Sequence, residues 1–99
     1  MEVSFDDTDL DELETNPRFF AGFSPPIVKG FRKVMQAIRS AKDERDLYKM
    51  RGLRFEKLQG DRQKQHSLRI NDQMRLIVEI RESGQDRKII AVIEIVDYH

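Results

Sequence analysis

The residues best suited to chemistry lie in two places, a basic stretch from Leu53 to Arg75 and the ending Asp97-Tyr98-His99. The basic stretch has a net charge of +3 when its histidine is neutral. Its charged residues are Arg54, Lys57, Arg62, Lys64, Arg69 and Arg75 against Glu56, Asp61 and Asp72. Guanidinium groups bind phosphates through two parallel hydrogen bonds, so the stretch suits a polyanion. The alternative is an ordinary set of solvated strand faces whose arginines pair with nearby carboxylates.

The ending Asp97-Tyr98-His99 follows an apolar run from Ile89 to Val96. All three side chains can donate, accept or move protons, and a histidine of ordinary pKa, about 6.5, can act as acid or base near neutrality. The alternative is a frayed polar terminus, which is common for the last residues of a chain. The residues themselves leave both interpretations open.

Charge is unevenly distributed along the 99 residues, although the formal net charge is zero. Residues 1–16 hold seven acids and no base, so residues 17–99 have a net charge of +7. The basic body fits either a nucleic-acid-binding surface or an ordinary solvated exterior.

Composition excludes several other classes of protein. The chain has no cysteine, which excludes disulfides and thiolate metal sites, and its two histidines lie far apart, so we expect no metal and no cofactor. No apolar run approaches the roughly 20 residues that span a bilayer, and the first residues are acidic where a signal peptide is basic and then apolar. The sequence predicts one domain over residues 1–99, in the cytoplasm and without a membrane partner.

The first half of the chain predicts helices. Residues 6–15 indicate a short helix with little to bury, ending near Asn16-Pro17. Ser24-Pro25 is a helix start that leads to a helix ending at about Ser40. Its apolar stripe is Ile27, Phe31, Val34, Met35 and Ile38, with Lys29, Arg32, Lys33 and Arg39 on or near the opposite side. A shorter helix capped by Asp43 should end at Gly52.

The second half predicts strands. Apolar and polar residues alternate around Leu68 and from Met74 to Arg81, and the run from Ile89 to Val96 predicts a central strand covered on both faces. Asn71-Asp72-Gln73 and residues 82–87 are turn signals. Arg69 and Arg75 flank the first turn, so strand pairing can bring them close together, and alternation should turn Arg75 away from the core. Helices followed by a meander predict an α+β fold with the N-terminal helices packed on one face of a small antiparallel β-sheet.

The segment LRFEKLQGDRQKQHSLRINDQMRL, followed by the terminal EIVDYH, resembles the HigB-type toxins of the RelE/ParE superfamily over about residues 17–99. The resemblance implies a RelE-like microbial ribonuclease fold and a toxin of a type II toxin–antitoxin system. Such toxins resemble small endoribonucleases that cut messenger RNA on the ribosome. The partners implied are the ribosome, messenger RNA and a HigA-like helix-turn-helix antitoxin.

The resemblance also implies roles for particular residues. Arg75 matches the phosphate-binding arginine of the family, and Asp97, Tyr98 and His99 match its terminal triad, with Glu56 as a substitute base. The other basic residues would hold RNA or ribosome, namely Arg54, Lys57, Arg62, Lys64 and Arg69.

Three positions depart from the family pattern. Glu56 and Gln59 stand where some members have histidine and lysine, and Met74 stands in place of tryptophan. These departures favour a second hypothesis, a non-catalytic interaction protein on the same fold, such as a gyrase-directed toxin or an antitoxin-binding partner.

Overall fold

The computed structural model of the protein describes residues 1–60, 64–84 and 86–97. In chain order the elements are β1 (Glu2–Phe5), α1 (Thr8–Thr15), α2 (Pro25–Ser40), α3 (Glu44–Lys49), a 3-10 turn (Arg51–Leu53), β2 (Glu56–Lys57), β3 (Gln65–Arg69), β4 (Met74–Glu82) and β5 (Lys88–Asp97). The five strands form one sheet in the order β1-β5-β4-β3-β2. Only the β1–β5 pair is parallel among them, and the other three pairs are antiparallel.

The helices pack on one face of this sheet, which confirms the predicted α+β class. Side chains from all three helices join one buried cluster with alternate residues of the strands. The helix side contributes Leu10, Leu13, Phe31, Met35, Ile38 and Leu47, and the sheet contributes Leu68, Leu76, Val78, Ile90 and Val92. Alternation along the strands then turns the intervening residues to the opposite face, which we call the open face.

The short helix predicted over residues 6–15 is confirmed as α1, but the expectation that it has little to bury was wrong, and no strand was predicted before it. Glu2–Phe5 is a strand, and Leu10 and Leu13 of α1 are fully buried in the core. The sequence EVSF alternates polar and apolar residues but over only four positions, and the strand pairs with β5, where Val3 lies opposite Ile90. The acidic segment is therefore an integral part of the domain.

The long helix α2 has the predicted bounds, but its faces differ slightly from the prediction. Val28 is buried, whereas Ile27 is only half-buried. Ser24 occupies the N-cap position of the helix, but its side chain makes no capping hydrogen bond.

Arg32, which we expected on the solvent side of α2, is half-buried and reaches back to the preceding segment. Its Nε donates to the carbonyl of Leu13 at 3.0 Å, and its Nη2 donates to the carbonyls of Asn16 at 2.9 Å and Phe19 at 3.3 Å. The guanidinium thereby satisfies carbonyls around the end of α1 that no helical N–H could reach.

Helix α3 begins as predicted and ends earlier than predicted. The side chain of Asp43 accepts from the backbone N–H of Arg45, as an N-cap does. The helix stops at Lys49, and Gly52 lies within the 3-10 turn that follows.

Strand β5 is central over only part of its length. It pairs with β4 from Lys88 to Asp97 but with β1 only from Ile89 to Val92. The prediction of cover on both faces holds for Ala91 and Val92, whereas Val96 is half-exposed. The register shifts between Ile77 and Val78, which marks an irregularity in the β4–β5 ladder.

Candidate active site on the open face

Arg75 lies near the start of β4, on the open face. Its neighbour Leu76 is fully buried against the helices, so alternation turns Arg75 away from the core, as predicted. Arg75 stands directly opposite Arg69 of β3 and opposite Val96 of β5. The sequence prediction that the turn brings the two arginines together is therefore confirmed.

The turn between β3 and β4 is built on the side chain of Asn71. Its Oδ1 accepts from the backbone N–H groups of Gln73 at 2.9 Å and Met74 at 2.7 Å. The N–H groups of Ile70 and Asn71 both donate to the carbonyl of Met74. This Asx-type turn fixes the register that sets Arg75 against Arg69.

Arg54 holds Arg75 through its backbone. It follows the 3-10 turn in a left-handed conformation, with φ 45° and ψ 51°. Its carbonyl accepts from Nη1 of Arg75 at 3.5 Å. A chain segment outside the hairpin thus contributes to the position of the Arg75 guanidinium.

Asp72 is the acidic partner within this group of arginines. It forms an ion pair with Arg69, and the Arg69 hydrogen bond is the main reason that the pKa of Asp72 lies below its usual value, with Arg54 lowering it further. We call Arg54, Arg69 and Arg75 the arginine cluster, and the first two of them act on this carboxylate. Like charges directly opposite on a sheet repel each other, and an anion on the open face would relieve that repulsion.

Glu56 shares the open face with the arginine cluster. It pairs with Ser67, which pairs in turn with Ile77, so all three point to the same side as Arg75. Two strand spacings and two residue steps place the Cα atoms of Glu56 and Arg75 ~12 Å apart. Side chains from both could reach one phosphodiester and the ribose attached to it.

The remaining predicted RNA-binding residues lie at the edge of the sheet or outside the described part. Lys57 pairs with His66 and so belongs to the helix-side row, although it is exposed at the edge. Lys64 is exposed just before β3. Arg62 lies outside the described residues.

His66 does not belong to the basic surface. Its ring stacks on Phe55 with the centroids 4.6 Å apart, and only 8% of the residue is exposed. Burial, and then the charge of Lys57, lower its pKa. A histidine in this position is neutral at physiological pH and adds no charge to the stretch.

Asp97 ends β5 beside the β3–β4 turn, so the far end of the described chain does meet the hairpin. It lies opposite Met74, and Nε2 of Gln73 donates to its Oδ2 at 3.3 Å. Because Asp97 pairs with Met74, the two residues belong to the same face of the sheet, and Arg75 belongs to the other face. Asp97 is the last residue of β5, at the end of the sheet. Tyr98 and His99 lie outside the described residues.

Ion pairs involve basic residues elsewhere in the molecule. Asp6 pairs with Arg81, Glu14 pairs with Arg39, and Glu2 pairs with Arg87. These acids all come from residues 1–16, which therefore compensate charge away from the arginine cluster and do not fold over it.

Two contacts of the site were missed from the sequence. Neither the Arg54 carbonyl nor the bond from Gln73 to Asp97 has a local pattern that reveals it, because both join segments distant in the chain. The left-handed backbone at Arg54 also lacks the glycine or asparagine that usually signals it.

No group of three His, Asp or Glu side chains in the described ranges is arranged as a metal site. Within the same ranges no helix is long and apolar enough to cross a membrane.

Comparison with known proteins defines the class to which this fold and site belong. A solved structure described as "YoeB/ParE toxin from Agrobacterium tumefaciens" is similar over 100% of both chains, with a TM-score of 0.60 and 18% identity. At that identity the likeness shows the fold, which is that of RelE-like toxins. No curated protein matches the sequence.

The family is shown by the sequence itself. Residues 3–99 match the family of HigB-like toxins, described as the RelE-like toxin of the type II toxin–antitoxin system HigB. The chain belongs to this family, and the match includes the N-terminal segment that we had placed outside the resemblance. A toxin of a type II system implies an antitoxin as its partner.

Proposed function

We propose that the protein is a ribosome-dependent endoribonuclease that cuts translated messenger RNA in the cytoplasm, inhibited by a HigA-like helix-turn-helix antitoxin. The observation that carries this proposal is the arginine cluster on the open face, with Arg75 directly opposite Arg69 and Glu56 on the same side of the sheet. Guanidinium groups side by side on one face fit a phosphodiester, and membership of the family supports the activity.

The proposed reaction transfers a phosphoryl group within the RNA chain. A base removes the proton of a ribose 2′-hydroxyl, and the oxygen forms a bond to the adjacent phosphorus while the bond from phosphorus to the 5′-oxygen breaks. An acid protonates that 5′-oxygen, which leaves a 2′,3′-cyclic phosphate and a 5′-hydroxyl. DNA lacks the attacking hydroxyl, so the activity is restricted to RNA.

Each residue of the proposed site has a role in this reaction. Arg75 stabilises the charge that develops on the phosphoryl oxygens, since its guanidinium offers two parallel donors. Glu56 serves as base, and Tyr98 and His99 move protons with Asp97 orienting His99. Arg54, Lys57, Arg62, Lys64 and Arg69 bind RNA or ribosome through phosphates, which position the substrate without reading its sequence.

A second candidate is a non-catalytic toxin of the same fold, such as one directed at gyrase. The position of Asp97 in the row of Met74 favours it, because that carboxylate does not share the row of Arg75. The absence of the family's usual residues at Glu56, Gln59 and Met74 points in the same direction.

The test measures cleavage of a message on translating ribosomes by primer extension, with purified protein. We expect the wild type to produce breaks within translated codons and Arg75→Ala to lower the rate by about 10²–10³-fold, as the loss of one oxyanion donor does. Arg75→Lys keeps the charge without the fork and should also be impaired. Lys42→Ala, which changes an exposed lysine outside the arginine cluster, is the control.

Wild-type protein that makes no breaks, or Arg75→Ala that cuts like the wild type, would contradict the proposal. Inhibition of DNA supercoiling by purified gyrase, without messenger-RNA breaks, would support the second candidate.

A further inference from the structure

A groove of about 400 Å³ runs between α2 and the 3-10 turn and reaches the arginine cluster at Arg69. One wall is α2, the other wall is the 3-10 turn, and the end of β3 closes the groove. The lining residues are Gly30, Lys33, Val34, Ala37, Met50, Arg51, Gly52, Leu53, Arg69 and Ile70. The proposed reaction uses only one of them, Arg69.

The α2 wall is a continuous helix face. Gly30, Lys33, Val34 and Ala37 follow the spacing of one face, so the wall extends over two turns, or ~10 Å. Gly30 lets α2 approach β3 closely, because a Cβ there would lie 2.8 Å from Cγ2 of Ile70. The close approach makes Ile70 part of the groove floor and keeps that floor apolar.

The groove combines an apolar floor with a basic rim. Val34, Ala37, Met50, Leu53 and Ile70 supply the apolar surface, and the charged lining residues are Lys33, Arg51 and Arg69. Within the part of the chain that the structure describes, no acidic residue lines the groove. Lys33 and Arg51 are exposed.

We infer that this groove binds an acidic amphipathic segment of the antitoxin, whose apolar side chains lie on the floor and whose carboxylates meet Lys33, Arg51 and Arg69. A groove two helical turns long suits one face of a short helix, which presents side chains at the i, i+3, i+4 and i+7 positions. The charged residues that line the groove are all basic, so its charge is complementary to that of an acidic segment. Such complementarity speeds the encounter of the two proteins and fixes how the segment is aligned in the groove.

The apolar floor distinguishes this occupant from RNA. A phosphate backbone would use the basic rim but would leave the surface around Ala37 and Leu53 exposed to water. Burying that surface requires apolar side chains, since the transfer of apolar area out of water is the favourable term.

The position of Arg69 connects the groove to the arginine cluster. Arg69 lines the groove, stands opposite Arg75 and pairs with Asp72. A carboxylate of the antitoxin at the groove end would compete with RNA phosphate for Arg69 and reduce the positive charge beside Arg75. This last step, inhibition of cleavage, rests on the proposed function, whereas the binding site does not.

The experiment measures the affinity of the full-length toxin for its cognate antitoxin by calorimetry. Lys33→Glu/Arg51→Glu reverses the rim outside the arginine cluster, and Ala37→Gln places a polar side chain on the floor without a change of charge. Arg18→Glu/Lys42→Glu makes the same change of charge at exposed positions outside the groove. Thermal unfolding of each variant verifies that it is folded.

We expect the rim reversal to weaken binding by about tenfold or more. Ala37→Gln should weaken it by about fivefold or more, and the control should bind like the wild type.

Wild-type affinity of both groove variants would overturn the inference. An equal loss of affinity in the control would also overturn it, because it would indicate general charge attraction. A loss of ribosome binding with antitoxin affinity unchanged would assign the groove to RNA. A change from dimer to monomer with antitoxin affinity unchanged would assign it to a second copy of the chain.

Binding and cleavage are measured separately, so the two proposals can fail separately. The groove variants could lose antitoxin binding while the wild type cuts no messenger RNA. That result would support the groove as an antitoxin site and contradict the proposed endoribonuclease activity.

Discussion

Arg54 shows how a single residue outside a hairpin can affect the chemistry on it. Its left-handed backbone costs a residue with a Cβ about 1–2 kcal/mol, and the carbonyl that accepts from Arg75 belongs to this same residue. Strained backbone of this kind recurs at functional sites, where the surrounding structure maintains it. The side chain of Arg54 also lies close enough to Asp72 to lower the pKa of that carboxyl. The backbone of Arg54 thus accepts a hydrogen bond from Arg75, and its side chain lowers the pKa of Asp72.

The residue-scale prediction concerns acid stability and Asp43. Hydrogen bonds from the side chain and backbone of Arg45 lower the pKa of Asp43 from 3.8 to about 2. A carboxyl whose pKa is depressed in the folded state stabilises the fold above its unfolded pKa, and that contribution is lost as the pH falls from 3.8 to about 2. Asp43→Asn can still cap α3 but does not ionise.

The midpoint temperatures of wild type and Asp43→Asn, measured between pH 7 and pH 2, test this prediction. We expect the wild type to be more stable at neutral pH and the difference to shrink as the pH falls through this window. A difference that stays constant with pH would show that the ionised carboxyl contributes nothing.

At the scale of elements, helix α2 comes close to the hairpin at Gly30. A Cβ at this position would lie 2.8 Å from Cγ2 and 3.0 Å from the carbonyl oxygen of Ile70. Gly30→Ala should therefore destabilise the fold by about 1–2 kcal/mol, since the overpacking penalty exceeds the gain in helix propensity. The free energy of unfolding in urea measures it.

Gly52→Ala is the matched control, because nothing lies within 4 Å of a Cβ there. It should be neutral or slightly stabilising, since it reduces only the freedom of the unfolded chain. Equal stability of Gly30→Ala and Gly52→Ala would contradict the packing argument.

The elements that could be predicted from the sequence were those with local signals. The proline start of α2, the Asn71-Asp72-Gln73 turn and the β-branched run of β5 each appear within a few residues. Strand β1 was not predicted, because Glu2–Phe5 alternates polar and apolar residues over only four positions and its parallel pairing with β5 has no local pattern. For the site, the turn alone predicted Arg75 beside Arg69, whereas the row occupied by Asp97 depends on the register of β4 with β5.

At the scale of the whole molecule, the N-terminal segment is part of the core. Leu13 of α1 is 0% exposed and belongs to the same buried cluster as Phe31 and Leu76. Leu13→Ala should lower the free energy of unfolding by about 2–5 kcal/mol, the range for buried leucines cut back to alanine. A loss of that size can exceed a third of the stability of a small domain, about 5–15 kcal/mol.

Chemical denaturation of Leu13→Ala beside Glu12→Ala tests this prediction. Glu12 is exposed in the same helix, so its replacement should change the stability by about 0.5 kcal/mol or less. Equal stability of the two variants would contradict the conclusion that α1 is part of the core.

The pairing of β1 with β5 has a consequence for how the chain is made. The ion pair between Glu2 and Arg87 joins residues 85 positions apart, and β1 has no partner strand until β5 has left the ribosome. Contacts so distant in sequence close late and slow folding. A growing chain therefore leaves the backbone of β1 without its partner strand for nearly all of its synthesis, and the sheet reaches its final order only after Val92 has emerged.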